Sequence, residues 1–169
     1  MLPLPEQERA RAGTPETLET LETLVAREEI RTLLATYARG ADRRDAVLEA
    51  SVFTEDGVVA LYDGDPSSHE PVDTIHGRAH LAETFAGLIA RYEVTTYLNG
   101  QSTIRFTGPD TADGETYCVA FHVLHDGGER VLLTMSIRYL DRFVRVEGAW
   151  AIAHRDLVFD WTDRSPSHT

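Results

Sequence analysis

The second half of the chain leaves the fewest options for a fold. From Val94 to Trp161 it reads as four long β-rich segments, Val94–Phe106, Gly114–His125, Arg130–Val146 and Ala149–Trp161. The turns between them, GPDTADG, DGGE and EG, are rich in Gly and acidic residues, which is a hairpin signal and predicts an antiparallel meander. Each segment is longer than a usual strand, so strong curvature or bulges are expected in place of a flat sheet. The first half is helical in pattern. Ala26–Ala38 repeats apolar residues at helical spacing, with Ile30, Leu33, Leu34 and Tyr37 on one face and Gly40 at the expected helix end. Asp45–Phe53 reads as a second short helix with Val47, Leu48 and Phe53 inward, and Val58–Tyr62 as a strand. Asp63–Asp73 is a loop, Thr74–His76 a short return strand, and Gly77 opens a third helix to about Tyr92, with Leu81, Phe85, Leu88 and Ile89 on one face. Helices first and a meander after predict an α+β fold. A strongly curved, mostly antiparallel sheet would wrap around three helices.

A length of 169 residues suits one domain with a real core. It is placed at residues 24–161, between a mobile or helical leader (1–23, its first 14 residues a mobile tail) and a C-terminal tail (162–169). In the leader, an ETL repeat sets Leu18, Leu21 and Leu24 three apart. Three leucines do not make a coiled-coil seam, so a solvated helical face is expected there. The net charge of -12, with no basic cluster larger than Arg43–Arg44, argues against nucleic acid as a partner. One cysteine, Cys118, excludes an internal disulfide and a thiolate metal cluster. The start carries charges too early for a signal peptide, and no apolar run approaches the ~20 residues that span a bilayer. The expectation is a cytoplasmic protein with no membrane partner.

Several residues are candidates for chemistry. Tyr37 and Asp42 deliver a phenol and a carboxylate to the end of an apolar helix face, which suits acid/base work at a pocket wall. Period two in Thr116–Leu124 sets Tyr117, Val119, Phe121 and Val123 against Cys118, Ala120, His122 and Leu124. The second face is small and mixed, as in a strand lining a cavity. His122 is either an acid/base group there or a satisfied core histidine. Thr95, Tyr97 and Asn99 share a face until Gly100, where a bend is expected; the phenol and amide either bind a ligand oxygen or pack on a helix. In Trp150–Leu157, alternation sets Trp150, Ile152 and His154 opposite Ala151, Ala153 and Arg155. Arg155 then either reaches into a cavity to hold an anion or lies on the surface. Arg138 is a further binding candidate, with Asp141 as its expected partner. His69, His76 and His80 supply no metal set, because Gly77 interrupts the pair and no third ligand follows. No glycine-rich phosphate loop and no Gly-x-Ser-x-Gly elbow occurs.

The segments REEIRTLLATYARGADRRD, VFTEDGVV, IHGRAHLAETF and RYLDRFVRVEGAWAIAHRDLV together resemble the SnoaL-like branch of the nuclear-transport-factor-2-like superfamily, over roughly residues 24–161. That resemblance implies a cone-shaped α+β barrel with an apolar pocket between helices and sheet. Scytalone dehydratase, bile-acid dehydratases, lindane dehydrochlorinase, polyketide cyclases, ketosteroid isomerase and dioxygenase small subunits share this plan. It implies that Asp42 matches the aspartate that orients the dehydratases' base, Tyr37 the pocket tyrosine of bile-acid dehydratases, and Arg155 an arginine of the dehydrochlorinase pocket. The family's histidine position holds Tyr97 here. Three arrangements remain: His122 as the base, Asp42 as a base raised by burial, or a pocket that binds without catalysing. The expected function is a cofactor-independent dehydratase, isomerase or cyclase acting on a hydrophobic oxygenated small molecule. Its catalytic residues would be Asp42, His122, Tyr37 and Tyr97, with Asn99, Arg155 and Arg138 binding substrate and no metal. The alternative is a ligand-binding or accessory subunit, such as a ring-hydroxylating dioxygenase small subunit, in which Asp42 and Arg155 pair structurally. Apolar residues on both faces of the 130–146 strand predict a homo-oligomer, and the resemblance to dehydratases implies a trimer, or a dimer.

Overall fold

The computed structural model describes residues 15–168, with side chains from Leu21 onward. The elements are α1 (Pro15–Arg43), α2 (Ala46–Ala50), β1 (Phe53–Asp63), β2 (Asp73–His76), α3 (Arg78–Ile89), β3 (Val94–Gly108), β4 (Thr111–Asp126), β5 (Glu129–Val146) and β6 (Ala149–Pro166). The strands form one sheet in the order β2-β1-β6-β5-β4-β3. Only the β1–β6 pairing is parallel; the others are antiparallel. The α+β plan with a mostly antiparallel sheet is the observed one. The sheet curls around the helices but does not close into a barrel, and β2 and β3 remain edges. Its concave face meets Ile30, Leu34 and Tyr37 of α1 and Leu81, Phe85 and Ile89 of α3 in one buried core.

The helices differ from expectation in ways that matter for the site. α1 runs through Gly40 to Arg43, and the left-handed turn falls at Arg44 with φ 59°. Gly40 is small for another reason: a Cβ there would lie 2.5 Å from the Glu49 backbone nitrogen, so glycine lets α2 press against α1. Asp45 caps α2, its carboxylate accepting the Leu48 N–H at 2.9 Å. Val47, expected inward, is 75% exposed, and the buried residues of α2 are Glu49 and Ala50. The α2 residue that faces Gly40 is Glu49, so the small residue at this close approach is on α1. Phe53 belongs to β1 rather than to this helix, and α3 is shorter than expected, starting after Gly77 (φ 84°) and ending at Ile89. Leu21 and Leu24 lie exposed on α1, which continues through the described part of the leader; Leu18's side chain and the expected mobile tail of residues 1–14 lie outside the described residues. Residues 162–166 continue β6, Pro166 pairing with Val131. Among the described residues, no helix is long and apolar enough to cross a membrane.

Strands of 15 to 18 residues stay paired by slipping register. Shifts fall between Asn99 and Ser102, at the bend expected from Gly100, and between Ser136 and Ile137. A third shift reverses an expected face. Arg142 pairs with His154 and Phe143 with Ile152, which leaves Ala153 as an extra residue in β6. The bulge flips the alternation, so Arg155 points into the core with Trp150 and Ile152 instead of opposite them.

The exposed edge of β3 is covered by α1. Tyr97 N–H donates to the Asp42 carboxylate at 3.0 Å, and the Asn99 amide donates to the Leu34 carbonyl at 3.1 Å. Arg27 donates to the Ile104 carbonyl farther along. A helix laced along the edge hides the free backbone groups that would otherwise pair with another strand.

Candidate active site

A cavity of about 120 Å³ lies between the helices and the concave face of the sheet. Most of its wall is apolar. Its polar wall comes from Tyr37 of α1, Glu49 of α2, Thr84 of α3, Tyr92 between α3 and β3, Thr95 and Tyr97 of β3 and His122 of β4. Tyr37 arrives there because Ile30, Leu34 and Tyr37 recur on one helical face. Its ring meets Phe53, Phe85, Tyr97 and Tyr139 edge-on at 5.7–6.4 Å. Burial raises the pKa of both Tyr37 and Tyr97, so both phenols stay protonated donors.

Glu49 was not expected at the site. It is only 3% exposed, and its Oε2 has no hydrogen-bond partner. Burial pushes its carboxyl up to about 8, against the opposing pull of the Tyr37 hydroxyl and the Arg155 charge. His122 lies on the inward face of β4 with Cys118 and Ala120, as the alternation predicted. Its ring stacks on Tyr92 at 4.1 Å and meets Tyr97 edge-on at 5.5 Å, and its Nδ1 is unpartnered. Burial pushes its pKa down to about 4. At neutral pH the cavity therefore holds a largely protonated carboxyl and a neutral imidazole, a proton donor and a proton acceptor lining one space.

The other sequence candidates lie elsewhere. Asp42 does not line this cavity and is not bonded to His122. It sits at the edge of β3, where its Oδ1 accepts from Tyr97 N–H and from the Thr95 hydroxyl at 3.2 Å, beside Arg39, Arg43 and Asn99. Partial desolvation raises its pKa although both bonds lower it. The reason is geometric: α1 continues past Gly40, and two residues five apart in an unbroken helix point about 140° apart. Tyr37 faces in, so Asp42 faces the sheet edge. Asn99 is spent on the Leu34 carbonyl and likewise misses the cavity.

Arg155 is fully buried but is not a free cation. Its Nε and Nη2 donate to the two Asp141 oxygens at 2.7 and 2.8 Å. Its guanidinium lies over the rings of Tyr139 at 4.0 Å and Tyr37 at 4.3 Å. It supports the back of Tyr37 and does not reach the cavity. Asp42 and Arg155 do not pair with each other. Arg138 is on the outer face, bound to Asp160 at 2.8–3.0 Å and Glu115 at 3.3 Å. It cannot meet Asp141, because residues three apart on a strand face opposite sides. Among the described residues, no three His, Cys, Asp or Glu side chains gather as a metal site.

A curled sheet enclosing a cavity against three helices defines a class of small α+β proteins. The model of the SnoaL-like domain family matches residues 22–156, and the chain belongs to that family. No curated protein matches the sequence. A crystal structure of a putative scytalone dehydratase from Novosphingobium aromaticivorans is 24% identical, with a TM-score of 0.73, covering 89% of this chain and 93% of that one. The hexachlorocyclohexane dehydrochlorinase LinA-type3 of Novosphingobium barchaimii is 16% identical, with a TM-score of 0.72 over 86% of this chain and 94% of that one. The β subunit of a putative aromatic-ring-hydroxylating dioxygenase from N. aromaticivorans is 20% identical, with a TM-score of 0.68 over 82% and 92%. These likenesses establish a shared fold.

Proposed function

We propose that this protein is a cofactor-independent acid/base lyase of the dehydratase type, acting on a hydrophobic oxygenated small molecule held in the cavity. The observation that carries this reading is that Glu49 and His122 line one cavity, where burial drives their pKa values in opposite directions. Neutral His122 takes the proton beside a carbonyl. The Tyr97 and Tyr37 hydroxyls donate to the carbonyl oxygen as negative charge develops on it. Glu49 then gives its proton to the departing hydroxyl, the carbon–oxygen bond breaks, and water leaves. The proton on His122 passes to the Glu49 carboxylate and resets the site. The chain contains no lysine, so an imine route has no side-chain amine. Neighbours named as a dehydratase and a dehydrochlorinase support an elimination.

A non-catalytic accessory subunit is the second reading, supported by the dioxygenase β-subunit neighbour. The two separate on the pH–rate profile of a cyclic β-hydroxy ketone such as 3-hydroxycyclohexanone, followed by the absorbance of the enone. His122 must be neutral and Glu49 protonated, so the rate should form a bell with limbs near about 4 and about 8. Glu49→Gln should lower kcat by about 100-fold or more and abolish the upper limb. An unchanged rate in that variant sinks the assignment.

A further inference from the structure

We infer that the cavity takes an uncharged molecule about the size of one six-membered ring, whose oxygen is met by Tyr97, Glu49 or His122. This rests on reading the cavity as the acid/base site, and size, charge and polarity each support it independently. The cavity measures about 120 Å³. An apolar cavity of ~150 Å³ is known to hold benzene, so a single ring fits and two fused rings overfill the space.

Charge is decided by what the wall lacks. Among the described residues, no arginine and no aspartate lines the cavity, and the chain has no lysine. The neighbouring cation, Arg155, gives two hydrogen bonds to Asp141 and lies behind the ring of Tyr37; its Nη1 has no partner among the described residues, but the residue does not line the cavity. An anionic ligand would lose its water and gain no counterion. A cationic ligand would have only Glu49 to meet it. That pairing requires ionising a carboxyl that burial holds protonated, with a second desolvated charge beside it. An uncharged ligand meets neither obstacle.

Polarity supplies the last constraint. Glu49 Oε2 and His122 Nδ1, in two residues that line the cavity, have no partner among the described residues. Unsatisfied buried polar atoms are costly, and a ligand hydroxyl or carbonyl offers them one. A plain hydrocarbon ring does not.

Calorimetric titration of the intact protein at about pH 6 tests this with four probes: cyclohexanone, cyclohexanecarboxylate, cyclohexylammonium and 2-decalone. Cyclohexanone is expected to bind at least tenfold more tightly than each of the other three. Thr84→Trp, which enlarges a half-buried wall residue of α3, should weaken cyclohexanone at least tenfold without lowering Tm. A charged or two-ring probe binding as tightly as cyclohexanone, or no probe binding at all, overturns the inference. So does unchanged cyclohexanone binding in Thr84→Trp. Failure of the acid/base reading looks different. Selective cyclohexanone binding with no dehydration of 3-hydroxycyclohexanone removes the catalysis and upholds the ligand class. Turnover of that ketone with equal binding of 2-decalone does the reverse.

Discussion

Glu49 is a carboxylic acid whose burial outweighs the favourable pull of Tyr37 and Arg155, and this gives it a stability signature as well as a role. Its pKa is raised from 4.5 to about 8 in the folded state, so an unfolded chain releases the proton first as pH rises. The folded form therefore loses stability between about 4.5 and about 8, by up to ~1.4 kcal/mol for each pH unit crossed. Glu49→Gln removes that loss. The variant's Tm should match wild type near pH 5 and exceed it near pH 8, and a gap that shrinks with pH would refute the assignment. His122 works in the opposite sense: its lowered pKa, about 4 against 6.5, makes the folded state lose stability as pH falls through that interval. Asp141 and Arg155 form a buried pair in which each is costly without the other. Asp141→Asn should destabilise by about 3–5 kcal/mol in chemical denaturation, a result that a surface pair would not give. Sequence reasoning reached His122 because β4 alternates cleanly over its whole length. It missed Glu49 because a five-residue helix is too short for periodicity to choose a face, and Val47 and Leu48 are the more hydrophobic pair.

Elements are placed here by close contacts and by lacing. The turns between the four long strands are plain in the sequence, and so the meander was legible. The extra residue at Ala153 was not, since a bulge carries no composition of its own, and it moved Arg155 to the opposite face. The end of α1 was misplaced for a related reason: glycine signals a helix end and a close approach alike. Gly40→Ala distinguishes them. A methyl group 2.5 Å from the Glu49 backbone should force α2 away from α1 and cost about 1–3 kcal/mol, whereas a mere cap would lose little. Because α2 carries Glu49, the same variant should shift the upper limb of the pH–rate profile. Asp42 marks the difference between lacing and chemistry. Asp42→Ala should cost about 1–2 kcal/mol through the freed Tyr97 amide and leave kcat within about threefold. A collapse of kcat at unchanged Tm would return Asp42 to the active site.

Over the whole molecule, the concave face of the sheet is filled and the convex face is not. By register, Leu98, Val119, Ser136 and Trp161 form a row across β3 to β6 on that outer face, with Leu98 and Trp161 56% and 53% exposed. We propose that the self-association expected from the strand pattern uses this row. Light scattering at micromolar concentration should give a multiple of 18.8 kDa for the wild-type chain and the monomer mass for Trp161→Glu. A wild-type monomer refutes the proposal. The parallel pairing of β1 with β6 reaches further still. Phe53 lies opposite Ile152, so β1 has its parallel neighbour on the far side of four intervening strands in the sequence. A growing chain on the ribosome can pair β1 with β2 at once, but leaves its other edge open until β6 has emerged. The wall of the cavity closes only then, and the apolar lining that is to hold a ligand spends the longest time in water.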